Sequence, residues 1–261
     1  MIVSNLVSPL WLAVPEKIEG RIEEIFHRYP QTKVFFRADD VAIPSAKQNQ
    51  LLKMFADCRV PLCAALVPAW LNRSRWQDME RLIDGNHQLF AWHQHGWNHH
   101  NHEPVGKKQE FGPGAGLEQK RHNIARGKGK LQDILGDHFL PVFTPPWNRL
   151  DRETLGILRD QGFVAISRYR GAKLPSIPGL PDFFANVDLH TRKEQSPQDG
   201  WQSLMDELDQ ALATGIAGLM IHHQRMNPAA FAFLHWLLLH IGKFPGVSLC
   251  SYGNLLEWPS Q

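Results

Sequence analysis

A chain of 261 residues, 43% hydrophobic and 21% charged, suits one large domain whose core needs no disulfide staples. A formal net charge of +2 gives no electrostatic case for nucleic acid or an anionic membrane surface. The apolar run at 231–241 carries His235 and His240 and is too short to span a bilayer. Three cysteines (Cys58, Cys63 and Cys250) with no C-x-x-C pair read as buried free thiols of a reducing compartment. The first fifteen residues lack a basic segment and the long apolar run of a signal peptide, so the expected location is the cytoplasm.

Residues 1–14 read as an N-terminal arm. Residues 15–27 carry Ile18, Ile22, Ile25 and Phe26 at helical spacing among charged residues, which predicts a helix. Val34-Phe35-Phe36 is a short strand that ends in Arg37-Ala38-Asp39-Asp40. Two adjacent acids directly after a buried strand are costly unless partnered. Pro44 and Ser45 open a helix to about residue 57. Residues 61–68 are the next strand, 74–83 a helix and 89–92 a third strand. This alternation predicts a parallel sheet.

Residues 90–102 hold five of the fourteen histidines within ten positions. A solvated loop has no need of such a cluster, whereas a divalent metal does, because neutral imidazole is its commonest protein ligand. His95 and His99 are four apart, a spacing that on one helical turn would put both rings on the same side. His93, His100 and His102 read as supporting or surface positions. Residues 102–117 form a glycine-rich loop around Glu110 that reads as solvated.

Further on, the pattern predicts a helix at 118–135, a strand at 141–144 broken by Pro145-Pro146, and a helix at 151–161 ending at Gly162. A strand at 164–167, a long loop at 171–186 and a strand end at 186–190 follow. Within 196–214 lies a helix, and residues 217–221 form a strand ending in His222-His223. A helix at 228–241 and a short strand at 247–249 complete the chain. The whole reads as a single α/β domain, residues 1–261. Polar clusters stand at four strand ends: Asp39-Asp40, His95 to His99, Pro145 to Arg149, and His222-His223. In parallel α/β folds that end carries the site.

In chain order, Phe-Arg-Ala-Asp39-Asp40, His95-Gly-Trp-Asn-His99, Thr-Pro-Pro146-Trp147 and Leu219-Met-Ile-His222 resemble the motifs of the polysaccharide deacetylase (NodB-homology) superfamily, carbohydrate esterase family 4 and its relatives. The resemblance covers roughly residues 33–225. It implies a distorted (β/α) barrel of about seven parallel strands. It implies Asp40, His95 and His99 as ligands of one divalent metal ion, zinc ahead of cobalt, nickel, iron or manganese. It also implies Asp39 as general base and His222 as general acid. The chemistry agrees, since one carboxylate and two imidazoles leave positions open for water and a carbonyl oxygen. A neighbouring carboxylate and a facing histidine can then move the protons.

The chain departs from the motifs at two places. Gly96 stands where the family usually has Ser or Thr. Thr144-Pro145 stands where an Arg usually precedes the proline and orients the base, which leaves the partner of Asp39 open and puts Arg149 downstream instead. These departures describe an outlying branch. Trp97, Pro146, Trp147, Arg149, Asp188 and His223 are the candidate pocket residues. His223 competes with His222 for the acid role, and the alternation of Leu219 and Ile221 favours His222. The expected function is metal-dependent removal of an N-acyl group, acetyl first, from a sugar or related small molecule. The rivals are hydrolysis of a non-sugar C–N bond and a barrel that binds a glycan or metabolite without catalysis.

Overall fold

The structure, a computed structural model, describes residues 6–257. Its centre is one all-parallel sheet of β1 (Thr32–Val41), β2 (Leu62–Leu66), β3 (Phe90–His95), β4 (Phe139–Thr144), β5 (Ala165–Ile166), β6 (Val187–Asp188), β7 (Ile216–Ile221) and β8 (Val247–Leu249). The strands run in the order β5-β4-β3-β2-β1-β7-β6, and β8 pairs with the start of β1. Around it lie α1 (Ile18–His27), α2 (Ala46–Cys58), α3 (Arg73–Ile83), α4 (Leu117–Leu135), α5 (Arg152–Asp160), α6 (Pro197–Ala213), α7 (Pro228–Ile241) and α8 (Tyr252–Leu256).

The two ends of the sheet are joined by the segment at 181–186, which had read as loop. Phe183 N donates to Ile166 O and Ala185 N to Arg168 O on the β5 side, at 2.9 and 2.8 Å. Asn186 N donates to Gly218 O on β7 at 2.9 Å. The result is a distorted (β/α) barrel. Its closing strand is irregular, built from single bridges, so it lacks the alternation that marks a strand in sequence.

Alternation along the regular strands divides two environments. Val34, Phe36 and Ala38 of β1, with Leu62, Ala64 and Leu66 of β2 and Phe90 and Trp92 of β3, pack outward in the main core beneath the helices. Phe35, Cys63, Ala91 and Val142 form a separate cluster within the barrel. Strand period two then places Arg37, Asp39, His93, His95 and Thr144 on that same inner face. All five are buried. β1 is therefore longer than its apolar run, because its last residues are polar yet equally enclosed.

Helix boundaries follow local chemistry. Ser45 caps α2 by accepting from Gln48 N, Asp151 caps α5 by accepting from Thr154 N, and Asn227 caps α7 by accepting from Ala230 N. The described part of the N-terminal arm is packed rather than loose. Leu10 and Trp11 are buried, and the Trp11 indole N–H donates to Leu189 O at 2.9 Å. The short α8 escaped the sequence reading, although Ser251 and Asn254 form a capping box at its start. Among the described residues no helix is long and apolar enough to cross a membrane.

Candidate functional site

Strand alternation would send Asp39 and Asp40 to opposite faces of the sheet. The pairing of β1 with β2 shifts register between Ala38 and Val41, and Asp40 has φ +60°. This bulge turns Asp40 back toward the mouth, so both acids face one space. His95 ends β3, and His99 lies four residues on in a turn, with φ +58°. The two histidines thus meet through a strand end and a tight turn, not along one turn of helix as their spacing suggested. Trp147 and Asn148 beside them also have positive φ, at +56° and +58°. Non-glycine residues in that region are strained, and such strain collects where side-chain placement matters.

Asp40 Oδ1 lies 3.2 Å from both His95 Nε2 and His99 Nε2. His95 Nδ1 is 2.9 Å from Thr144 O, an atom that only accepts, so Nδ1 carries the hydrogen. A neutral His95 then points its Nε2 lone pair at a carboxylate oxygen that is buried without a well-directed hydrogen bond. Three lone pairs converging on one buried point can be shared by a proton on His95 or by a cation between them. Burial pushes the Asp40 carboxyl up, but His95 and His99 outweigh it and hold it well below the usual range. Burial opposes charge on His95, yet Asp40 and Asp39 raise it, while burial pushes His99 down to about 4. This donor set, with a carbonyl fixing the far nitrogen of one imidazole, fits a borderline divalent metal.

The residue that holds Asp39 is Arg37, from the same strand-end motif. Arg37 precedes Asp39 by two positions on the same inner face. Its Nε stands 2.9 Å from Asp39 Oδ1, and its Nη2 donates to Asp39 Oδ2 at 3.0 Å. Arg37 also donates to Ser167 Oγ at 2.9 Å and to Asn148 Oδ1 at 2.7 Å. Burial raises the Asp39 carboxyl, but Arg37, with His95 and His222, outweighs it and holds the carboxyl below its ordinary value. The signal was available in sequence: an arginine inside a buried strand needs an anion on its own face. Arg149 does not serve here, since it donates to Lys108 O at 3.2 Å.

Gly96 is explained by what surrounds it. It has φ +59°, and a Cβ there would lie 2.3 Å from Glu110 Oε2 and 2.5 Å from Pro146 Cγ. Glu110, expected in a solvated loop, is buried and accepts hydrogen bonds from the backbone N–H groups of Trp97, Asn98 and His99 at 2.9–3.1 Å. A carboxylate from a distant loop thus braces the ligand turn. Burial pushes that carboxyl up to about 7, against the three N–H donors.

His222 Nε2 stands 3.9 Å from Asp39 Oδ2, and its backbone N–H donates to His190 Nδ1 at 3.3 Å. His223 is buried beside it, and burial lowers it to about 4. The Trp147 ring lies 4.3 Å from that of His99, and the Trp70 ring, not foreseen, 5.9 Å from it. Pro146 packs on the Gly96 turn. Trp97 is turned into a second apolar cluster under Arg126, 4.4 Å above its ring, so it pins the turn. The Asp188 carboxylate accepts from the backbone N–H groups of His190 and Thr191 and from the Thr191 hydroxyl, and so shapes its own turn. His93 is an interior residue, 2.9 Å from Thr144 Oγ1, while His100 and His102 pair with each other.

No protein-family model matches the sequence, and no curated protein matches it. Solved structures do match. A protein from Mycobacterium smegmatis assigned to the polysaccharide deacetylases is 16% identical, with 87% of this chain and 90% of that chain covered and a TM-score of 0.63. A polysaccharide deacetylase from Bacillus cereus is 13% identical, with 89% and 96% covered and a TM-score of 0.52. A family 4 acetyl xylan esterase from Clostridium thermocellum, in complex with a cobalt ion, is 13% identical, with 86% and 90% covered and a TM-score of 0.51. At such identities the likeness is one of architecture, and this chain has the fold of the polysaccharide deacetylases, at a long sequence distance from the structures it matches.

Proposed function

We propose that this protein is a metal-dependent hydrolase that removes an N-acyl group, acetyl first, from a sugar or a related small molecule. The observation that carries the reading is the convergence of Asp40, His95 and His99 on one buried point, beside an Asp39 held by Arg37 and faced by His222. Asp40, His95 and His99 would hold the ion, with zinc first and cobalt, nickel, iron or manganese also suited to the donors. When bound, it supplies Lewis acidity toward the amide carbonyl and acidifies water. Asp39 accepts the proton of the attacking water. Arg37 keeps that carboxylate ionised and aimed. His222, across the mouth from Asp39, delivers a proton to the departing nitrogen, so that it leaves as an amine. Trp147 and Trp70 flank His99 and offer apolar faces to a sugar ring. The names of the matched structures support a saccharide over another amide, and the cobalt in one of them supports metal dependence. The three free thiols support a reducing compartment.

The test pairs metal content with turnover. Asp40→Ala is expected to lower bound metal by one ion per chain and abolish acetate release from N-acetylated sugars. Asp39→Ala is expected to keep the metal and lose turnover. Metal content unchanged by Asp40→Ala would overturn the ligand assignment. Metal binding without release of acid from any amide would move the protein to the binding barrels.

A further inference from the structure

We propose a second divalent-metal site, formed by Glu80, His87 and His138 at the opposite end of the barrel from the first. Glu80 lies on α3, His87 opens the short turn that leads into β3, and His138 closes the turn that leads into β4. One ligand atom from each lies within 4.8 Å of the other two. His87 Nε2 is 4.0 Å from Glu80 Oε1, and the two imidazoles stack with centroids 4.0 Å apart and planes 6° from parallel. The Trp76 ring borders both, at 6.3 and 6.4 Å.

Two imidazolium rings would repel each other strongly in such a stack, so the stack holds at least one neutral ring. His87 Nδ1 is buried with no hydrogen-bond partner among the described residues. Two imidazoles beside a carboxylate are a ligand set. Two imidazoles and one carboxylate suit zinc, nickel, cobalt or copper(II), and not the oxygen-seeking magnesium or calcium. Ligand atoms around one zinc ion lie roughly 3.3 Å apart, as its bond lengths and tetrahedral geometry require. Because ring-nitrogen lone pairs lie in the ring planes, binding turns the two imidazoles out of their stack as it closes the present 4.0 Å gap to Glu80. His138 is exposed and Glu80 partly exposed, so both can rotate. An ion here ties α3 to the starts of β3 and β4. That face of a parallel barrel serves stability rather than chemistry, so the ion acts as a brace.

The proposal stands independently of the hydrolase reading. The probes are Zn²⁺ and Ni²⁺, titrated into chelator-stripped full-length chain carrying Asp40→Ala. The expected result is one ion bound per chain, with a Tm rise of about 5 °C at saturating metal. Ni²⁺ should quench tryptophan emission, and Trp76→Phe should reduce the quench. His87→Ala and His138→Ala should each abolish binding and the Tm rise, with the metal-free Tm of the exposed His138→Ala unchanged. In a chain that keeps Asp40, His138→Ala should lower bound Co²⁺ by one ion per chain, which covers the case where Asp40→Ala fails to fold. No ion bound by the Asp40→Ala chain, or binding that survives both histidine substitutions, would overturn the proposal.

Discussion

Arg37 and Asp39 form a buried pair whose partners depend on each other. Removing the arginine leaves a carboxylate enclosed without its counter-charge, a change that costs about 3–5 kcal/mol in comparable cases. Arg37→Lys keeps a charge but loses the two-pronged contact. Because Arg37 lowers the Asp39 pKa, its loss should raise that pKa and move the acid limb of the kcat/KM profile to higher pH. An unmoved acid limb with normal folding would show that Arg37 does not act on the base. Thr144, not an arginine, stands ahead of Pro145, and the arginine that holds Asp39 comes from β1. Its pairing could have been inferred, since Arg37 and Asp39 share a face of one strand. Glu110 was harder to read, because nothing in a polar glycine-rich loop marks one carboxylate as buried against a turn eleven to thirteen residues earlier. Gly96→Ser tests that brace. Restoring the usual side chain puts a Cβ 2.3 Å from Glu110 Oε2 at a positive φ, so it should lower both Tm and metal affinity. A variant with unchanged metal affinity would mean the turn has room for a hydroxyl.

Among the elements, the apolar runs of β2, β4 and β7 and the capped helices were legible because burial on both faces, Pro and Ser or Asp punctuation and helical spacing each leave a direct trace. What stayed hidden depended on distant partners. The bulge at Asp39–Asp40 arises from pairing with β2, and the closing segment at 181–186 from two neighbours at once. The arm is the same kind of case. Trp11 contacts Trp201, Phe233 and His190 from elements nearly two hundred residues away, and Asn227 donates to its carbonyl at 2.9 Å. Trp11→Ala should therefore destabilise the fold by about 3–5 kcal/mol, as a buried aromatic truncation does, read by urea unfolding. A loss under 1 kcal/mol would mean the arm merely lies on the surface. Since His190 stacks on Trp11 and accepts from the His222 backbone N–H, the same variant should also reduce turnover.

At the level of the molecule, the barrel and its mouth enclose many titratable groups, and their shifts set how stability depends on pH. Burial lowers His93 to about 3, His99 and His223 to about 4, and His190 well below its ordinary value. An unfolded histidine takes its proton near pH 6.5, so the unfolded chain binds protons first as pH falls. These four groups stabilise the fold above pH 6.5, and that contribution is lost as pH falls toward their folded values. Glu110 works in the opposite sense: its folded value of about 7 exceeds 4.5, so its contribution is full below 4.5 and is lost as pH rises through 7. His95, raised above 6.5, contributes its full stabilisation below that pH and so adds no slope there. Between pH 6.5 and 4 these four histidines, with His87 and His102 also lowered, outnumber the raised carboxyls Glu110, Asp182 and Glu207. Metal-free chain should then lose stability on acidification more steeply than the about 1.4 kcal/mol per pH unit of a single proton. His93→Gln isolates one group, because His93 lies inside the barrel and belongs to neither metal cluster. Urea unfolding across this window should show its slope flatter than that of the parent by up to about 1.4 kcal/mol per unit. An equal slope in the two chains would mean that His93 takes up a proton within the fold. The interior would then have to supply a counter-charge, and Asp39, already paired with Arg37, is the nearest candidate that lowers the cost of that charge.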